Sequence, residues 1–235
     1  MADLPVVTIY GSSDSGKTGL IVDLVRDLSR DGLEVCTIKH SPSDISLDEE
    51  GKDTWRHKQA GSRLTVFSTE VETSFLFSGE MELEEIVEKI GRIEGPDLVI
   101  AEGYKDEDVP KIAVGEIDPR ENTLHKYKGD FGELKREIRD LIAVKEIQDE
   151  LPGIDCGRCG FDNCRQLARA IYEGEEELSD CEVREQRIVD LKVNGKEVPL
   201  EYFPARFVEG GLKGMLRALK GVDDEINKIS LEIRD

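Results

Sequence analysis

Through the first 150 residues, short and almost wholly apolar runs alternate with segments whose apolar residues recur every three or four positions. Residues 6–10, 34–39, 63–68, 74–77, 98–101 and 111–114 read as strands, several too uniformly apolar to keep one face in water. Between them, Leu20, Ile21, Leu24, Val25 and Leu28 share one helical face that stops at Gly32. Leu83, Ile86, Val87 and Ile90 do the same before Gly91, and Leu134, Ile138, Leu141 and Ile142 form the stripe of a longer helix. Strands alternating with helices imply βαβ crossovers, hence an α/β fold with a mostly parallel sheet and flanking helices.

The pattern changes near Leu151-Pro152-Gly153. A short helix is expected behind Asp162 or Asn163, packing Leu167, Ala168 and Ile171 inward and ending at Gly174. After Asp190, Val193-Asn194-Gly195-Lys196 is a strong hairpin signal, and a helix is expected near residues 212–219. The expected organisation is a first domain over 1–149, a small cysteine-bearing domain over 150–185 and a small α+β segment over 186–235.

Of 235 residues, 52 are acidic and 32 basic, for a net charge of −20, and 38% are hydrophobic. That apolar share excludes wholesale disorder. The charge repels phosphate backbones and anionic lipid, and with no local basic patch no nucleic-acid or membrane partner is expected. No apolar run approaches the roughly 18 residues of a membrane span, and Met1-Ala2-Asp3-Leu4-Pro5 lacks the basic start of a signal peptide. A cytoplasmic location is therefore expected.

Candidate chemistry begins at Gly11-Ser12-Ser13-Asp14-Ser15-Gly16-Lys17-Thr18, which fits G-x-x-x-x-G-K-[ST] directly between a strand and a helix. The glycines let successive N–H groups point at phosphate oxygens, and the helix N-terminus adds its dipole. Lys17 is the expected partner of the β- and γ-phosphates, and the Thr18 hydroxyl of Mg²⁺. Asp14 opposes that field and is expected to face solvent. Glu102 ends an apolar strand on the ligand-binding edge of a parallel sheet. It is the candidate for the Mg²⁺ shell or the attacking water, the competing reading being a cap on the next turn. No Asn-Lys-x-Asp run marks guanine recognition, so the base stays open on this chemistry. Ser12 stands where dimeric, reductase-type and partitioning ATPases insert a lysine beside the first glycine, which disfavours those classes.

Together with Thr37-Ile38-Lys39-His40, Gly51-Lys52-Asp53, Arg56, Ala60-Gly61, Asp97 to Lys105 and Pro110-Lys111-Ile112, this loop resembles the MobB family, the molybdopterin-guanine dinucleotide biosynthesis adapters. The resemblance runs from about Val6 to Val114. It implies a P-loop NTPase-like fold, GTP binding with slow hydrolysis, a homodimer, and a molybdenum cofactor guanylyltransferase as partner. Molybdopterin or a client molybdo- or tungsto-enzyme are further candidate partners. Lys39, His40 and Asp53 join the loop residues as candidate ligand contacts. The chain departs from the family at Asp14, where a glycine is usual, at Pro42 and Ser43, where two histidines are usual, and at Gly19, commonly a threonine. Asp44 and Asp48 keep the register of the segment, and Asp44 to Trp55 reads as a polar loop to which Lys39, His40, Lys52 and Arg56 bring positive charge. His40 and His57 read equally as surface histidines, and Trp55 as a core tryptophan on a helix. Cys36, inside the second strand, reads as a small buried hydrophobe.

Cys156, Cys159, Cys164 and Cys181 follow the spacing C-x2-C-x4-C-x16-C. Gly157 and Gly160 let the backbone wrap an inorganic core and turn N–H groups toward sulfur. Disulfides and a four-thiolate zinc are the competing readings. The run from Leu151 to Cys164, continuing to Cys181, resembles the four-cysteine 4Fe-4S domain of membrane electron-transfer complexes and corrinoid iron-sulfur proteins. Two functions follow: a GTP-binding adapter of molybdenum or tungsten cofactor maturation carrying a redox or docking domain, or a nucleotide-gated electron-transfer protein. In the first, any enzymatic activity is at most slow GTP hydrolysis.

Overall fold

The computed structural model describes residues 4–41, 43, 45–184, 189, 191–193, 196–198, 202–219 and 229. The chain divides into two compact units, Met1–Ile142 and Ala143–Asp235.

The first unit is built on five parallel strands in the order β2-β5-β1-β6-β7: β1 Val6–Gly11, β2 Val35–Lys39, β5 Leu98–Glu102, β6 Lys111–Val114 and β7 Thr123–Tyr127. Ile9, Leu98, Ile100 and Ala113 are completely or almost completely excluded from solvent, as strands covered on both faces require. One face packs against α1 (Lys17–Arg30) and the start of α4 (Phe131–Asp149), through Leu24, Leu28, Leu134 and Ile138. The other packs against α3 (Leu83–Ile93), where Leu83 and Val87 meet Val6, Val99 and Ala101. A short helix α2 (Asp53–Gln59) precedes an antiparallel pair, β3 (Leu64–Ser68) and β4 (Thr73–Phe77), which forms a sheet of its own.

Several expectations need correction. β7 was not expected: only Leu124 and Tyr127 are apolar in Thr123-Leu124-His125-Lys126-Tyr127. α3 does not stop at Gly91 but runs on to Ile93, and the chain turns left-handed only at Gly95, with φ +61°. Trp55 is half-buried on a helix with no buried residue, so it is not a core tryptophan. Cys36 is half-buried beside Val99 and Ala101, and burial raises its thiol pKa.

In the second unit, α5 (Cys164–Glu173) is capped by Asn163, whose side chain accepts from the Gln166 N–H at 2.9 Å, and it ends at Gly174 with φ +78°. β8 (Leu191–Val193) and β9 (Lys196–Val198) pair antiparallel as the hairpin signal required; Asn194 and Gly195 lie outside the described residues. The last helix, α6, spans Tyr202–Arg217, starting ten residues before the expected position. Among the described residues no helix is long and apolar enough to cross a membrane.

Candidate functional site

Gly11 is the last residue of β1, and a side chain there is impossible: a Cβ would sit 2.3 Å from the Val114 carbonyl oxygen and 2.7 Å from Ser15 Oγ. The chain then turns through Asp14 and Gly16, both left-handed at φ +59° and +91°, into the first turn of α1. That turn's N–H groups have no helical acceptor and face the loop. Lys17 bends back so that its ammonium donates to the carbonyl oxygens of Gly11, at 3.2 Å, and Ser12. Ser15 Oγ is buried and has no hydrogen-bond partner among the described residues; a phosphate oxygen would accept from it. Asp14 is exposed, as expected, and Ser12 and Ser13 stand exposed beside it.

Glu102 closes the site from the neighbouring strand. Parallel pairing of β1 with β5 sets Ile9 beside Glu102, and the Gly103 N–H donates to the Ile9 carbonyl at 2.9 Å. Thr18 Oγ1 donates to Glu102 Oε2 at 3.1 Å, and the Lys39 ammonium pairs with Glu102 Oε1. Three residues from β2, β5 and α1 thus meet at one carboxylate that is only 7% exposed. Its side chain does not cap the next turn, and its backbone carbonyl accepts from the N–H of His40, just past the neighbouring β2, at 3.1 Å. His40 is placed by Tyr104, their ring centroids 4.5 Å apart, against the left-handed Gly103. Burial raises the pKa of the Tyr104 hydroxyl.

The donor set suits a magnesium nucleotide. A hydroxyl and a carboxylate are hard oxygen ligands of the kind Mg²⁺ takes beside substrate phosphates. Lys17 supplies a cation whose present acceptors are neutral carbonyls.

The polar segment after β2 contributes less than its charges suggested. Asp53 opens α2, exposed, with Arg56 at 3.8 Å, and Lys52 pairs with Glu49 at 3.4 Å. No described bond ties Asp53 to the phosphate loop. Asp48 anchors the segment, accepting from Thr54 Oγ1 at 2.6 Å with Lys58 at 3.5 Å. His57 is exposed in the last turn of α2, and Pro42 and Asp44 lie outside the described residues.

In the second unit, Cys164 and Cys181 are buried in one apolar cluster with Leu167, Ala168 and Val183, and Cys159 packs against it. Cys156 is exposed, and none of the five cysteines is disulfide-bonded. The loop before α5 is wound through left-handed positions at Gly153, Asp155, Gly157 and Gly160. Asp155 Oδ1 accepts from the Cys164 N–H at 2.7 Å, and burial raises the Cys164 thiol pKa. Among the described residues no group of three or more His, Cys, Asp or Glu side chains converges as a single metal ion requires. Three of the four cysteines share one apolar cluster next to a loop wound through left-handed glycines, and as a donor set thiolates fit an iron-sulfur centre by their chemistry.

What sequence reasoning missed is a cleft beside the loop, of about 610 Å³, lined by residues of α1 and by the ends of β6 and β7. Its walls come from α1 and from the β6 and β7 ends about a hundred residues further on, so no linear motif announces it.

Comparison with known proteins covers both units. The family described as Molybdopterin guanine dinucleotide synthesis protein B, MobB, matches residues 6–130, more than half the chain. A candidate Fe-S cluster domain matches residues 151–183. A candidate molybdopterin-guanine dinucleotide biosynthesis adapter protein of Methanocaldococcus jannaschii is 30% identical over 226 residues, 93% of each chain. The molybdopterin-guanine dinucleotide biosynthesis adapter protein of Haemophilus influenzae is 35% identical over 157 residues, 62% of this chain and 86% of its own. A crystal structure of Bacillus subtilis MobB, 20% identical, aligns with 59% of this chain and 98% of its own at a TM-score of 0.47. Phosphate loop, Glu102 strand and a match along most of its length to an adapter protein together place this chain in the MobB family, with an Fe-S domain following the MobB region.

Proposed function

We propose that this chain is a GTP-binding adapter that assists a molybdenum cofactor guanylyltransferase in joining GMP to molybdopterin, or to its tungsten counterpart, in the cytoplasm. The observation that carries the reading is the Glu102 carboxylate, bonded to Thr18 Oγ1 at 3.1 Å beside a loop whose Gly11 tolerates no side chain. Thr18 and Glu102 would hold Mg²⁺, which when bound neutralises charge between phosphate oxygens. Lys17 would exchange its two carbonyl acceptors for the β- and γ-phosphates, and Ser15 Oγ would gain an acceptor. Lys39, with its side chain 65% exposed, is free to leave Glu102 for the terminal phosphate when a metal arrives. Glu102 is also the group able to orient an attacking water, and hydrolysis at such a site is at most slow.

His40 and Asp53 belong to the segment that would meet the pterin or the partner enzyme. A homodimer is supported by the β3–β4 pair, where Leu64 and the cross-strand neighbours Val66 and Phe75 stand 40–48% exposed. Apolar side chains opposed in this way are covered at low cost by a second copy. In the second unit, Cys156, Cys159, Cys164 and Cys181 would hold a 4Fe-4S cluster, a redox centre or a docking element for the partner or a client enzyme.

Two measurements test the reading. Titration with GTP and Mg²⁺ should give binding that Lys17→Ala removes in a folded protein, and adding the chain to a guanylyltransferase should raise the yield of guanine dinucleotide cofactor. Undiminished GTP affinity in Lys17→Ala, or no effect on yield, overturns it.

A further inference from the structure

The loop that precedes α5 carries one charge that its fold does not need. Every second residue of it is left-handed, Gly153 at φ +67°, Asp155 at φ +47° and Gly157 at φ +70°, and the backbone N–H groups of Gly153 and Asp155 are turned onto the Cys164 sulfur. Backbone of this kind makes a concavity of N–H donors suited to an anionic sulfur. Asp155 reaches Cys164 with its side chain as well: Oδ1 accepts the Cys164 N–H at 2.7 Å, and the carboxylate is in hydrogen-bond contact with the thiol. Among the described residues no lysine or arginine pairs with Asp155.

Neither backbone nor capping calls for a carboxylate there. Glycine adopts the left-handed region freely, and asparagine is tolerated in it as well as aspartate. An amide oxygen would accept the Cys164 N–H equally well, and α5 already has its N-cap in Asn163, which accepts from the Gln166 N–H at 2.9 Å. What only aspartate adds is a negative charge against a buried sulfur, Cys164 being 7% exposed. A cluster held by four thiolates is already anionic, and reduction adds an electron to it. A neighbouring negative charge therefore opposes reduction, whereas N–H bonds to sulfur favour it. Asp155 acts on both counts, because it also spends the Cys164 N–H on a carboxylate rather than on sulfur.

We propose that Asp155 sets the potential of the iron-sulfur centre: its carboxylate, bonded to the Cys164 N–H, holds the one-electron couple low, so that the second unit gives up an electron readily rather than storing one. The proposal rests on the four-cysteine cluster reading above. In that couple the oxidised cluster takes one electron from a reduced low-potential donor and passes one on, with no bond formed or broken. The test is a mediated redox titration of the anaerobically purified full chain with dithionite as reductant, read by the bleaching of the visible absorbance, with iron counted per chain. Asp155→Asn keeps the shape and the acceptor for the Cys164 N–H and removes the charge. It should load iron as the wild type does and shift the equilibrium toward the reduced form about tenfold or more, about 59 mV upward for one electron. Asp155→Gly, which releases the Cys164 N–H and suits the left-handed backbone, should raise the potential as well. Asp162→Asn removes a charge from the same loop, where the carboxylate is bonded to Gln166 Nε2 at 3.4 Å rather than to a cysteine, and should shift the potential by clearly less. Equal potentials in wild type and Asp155→Asn, or equal shifts in Asp155→Asn and Asp162→Asn, overturn the proposal. Loss of the cluster from both Asp155 variants overturns it too, because the carboxylate is then a structural clamp alone. Iron content separates the two readings: a wild type without iron removes the cluster itself, whereas a loaded cluster indifferent to Asp155 sinks this assignment and leaves the cluster standing.

Discussion

Glu102→Gln replaces one carboxylate oxygen by an amide of nearly the same shape in a side chain that is 7% exposed. The amide oxygen can still accept from Thr18 Oγ1, so that bond survives. What is lost is the charge facing Lys39, whose own side chain is 65% exposed and hydrates when released. The fold should therefore change by less than about 1 kcal/mol, the scale of a pair with one partner in water. Metal binding is different, because a carboxylate is the hard charged ligand of the pair and an amide is not. Losing a charge-assisted interaction of about 1.5–3 kcal/mol weakens Mg²⁺-dependent GTP binding roughly 10- to 150-fold. Calorimetric titration of GTP with Mg²⁺ and again with a chelator, beside a thermal melt of each protein, reads both quantities. The variant should approach the chelated wild type in affinity while melting within a few degrees of it. A turn cap predicts the reverse, a lowered melting temperature with undisturbed Mg²⁺ dependence, and that result would refute the assignment of Glu102 to the metal.

Asp14→Gly relieves a left-handed residue at φ +59° and removes a negative charge from an anion-binding loop. GTP should bind several-fold more tightly and melting should rise slightly; an unchanged dissociation constant removes Asp14 from the electrostatics of the site. His125 is 7% exposed, its Nε2 3.0 Å from Asp130 and its Nδ1 3.1 Å from Glu137. Burial lowers its pKa, but the hydrogen bonds to the two carboxylates outweigh burial, and the net shift is upward from 6.5. A raised folded-state pKa contributes stability that is complete below the unfolded value near 6.5 and is lost as pH rises through the folded value. The denaturation midpoint should accordingly fall on going from mildly acid to alkaline pH, and the fall should vanish in His125→Gln; an identical pH profile in the variant counts against the triad. Cys181→Ser exchanges one buried thiolate of the proposed cluster. Iron content, expected at about four per chain in anaerobically purified wild type, should drop, and the second unit should melt earlier while the first keeps its GTP-stabilised transition. A single shared transition shifted as a whole would contradict independent units.

The parts of this protein that could be read from the chain are those whose neighbours topology dictates. A strand entering a G-x-x-x-x-G-K-[ST] turn lies beside another parallel strand, so a carboxylate at that strand's end had to come near Thr18; Glu102 does, across 84 positions. β7 stayed hidden because burial there is not apolar: His125 is held inside by Asp130 and Glu137, and hydrophobic periodicity has no sign for a histidine buried between carboxylates. Trp55 misled for the opposite reason, since its size suggests a core position while α2 buries none of its residues. Gly91 looked like a helix end, yet the helix continues because that glycine keeps ordinary helical backbone and leaves room for Leu4, whose Cδ1 would lie 3.1 Å from an added Cβ.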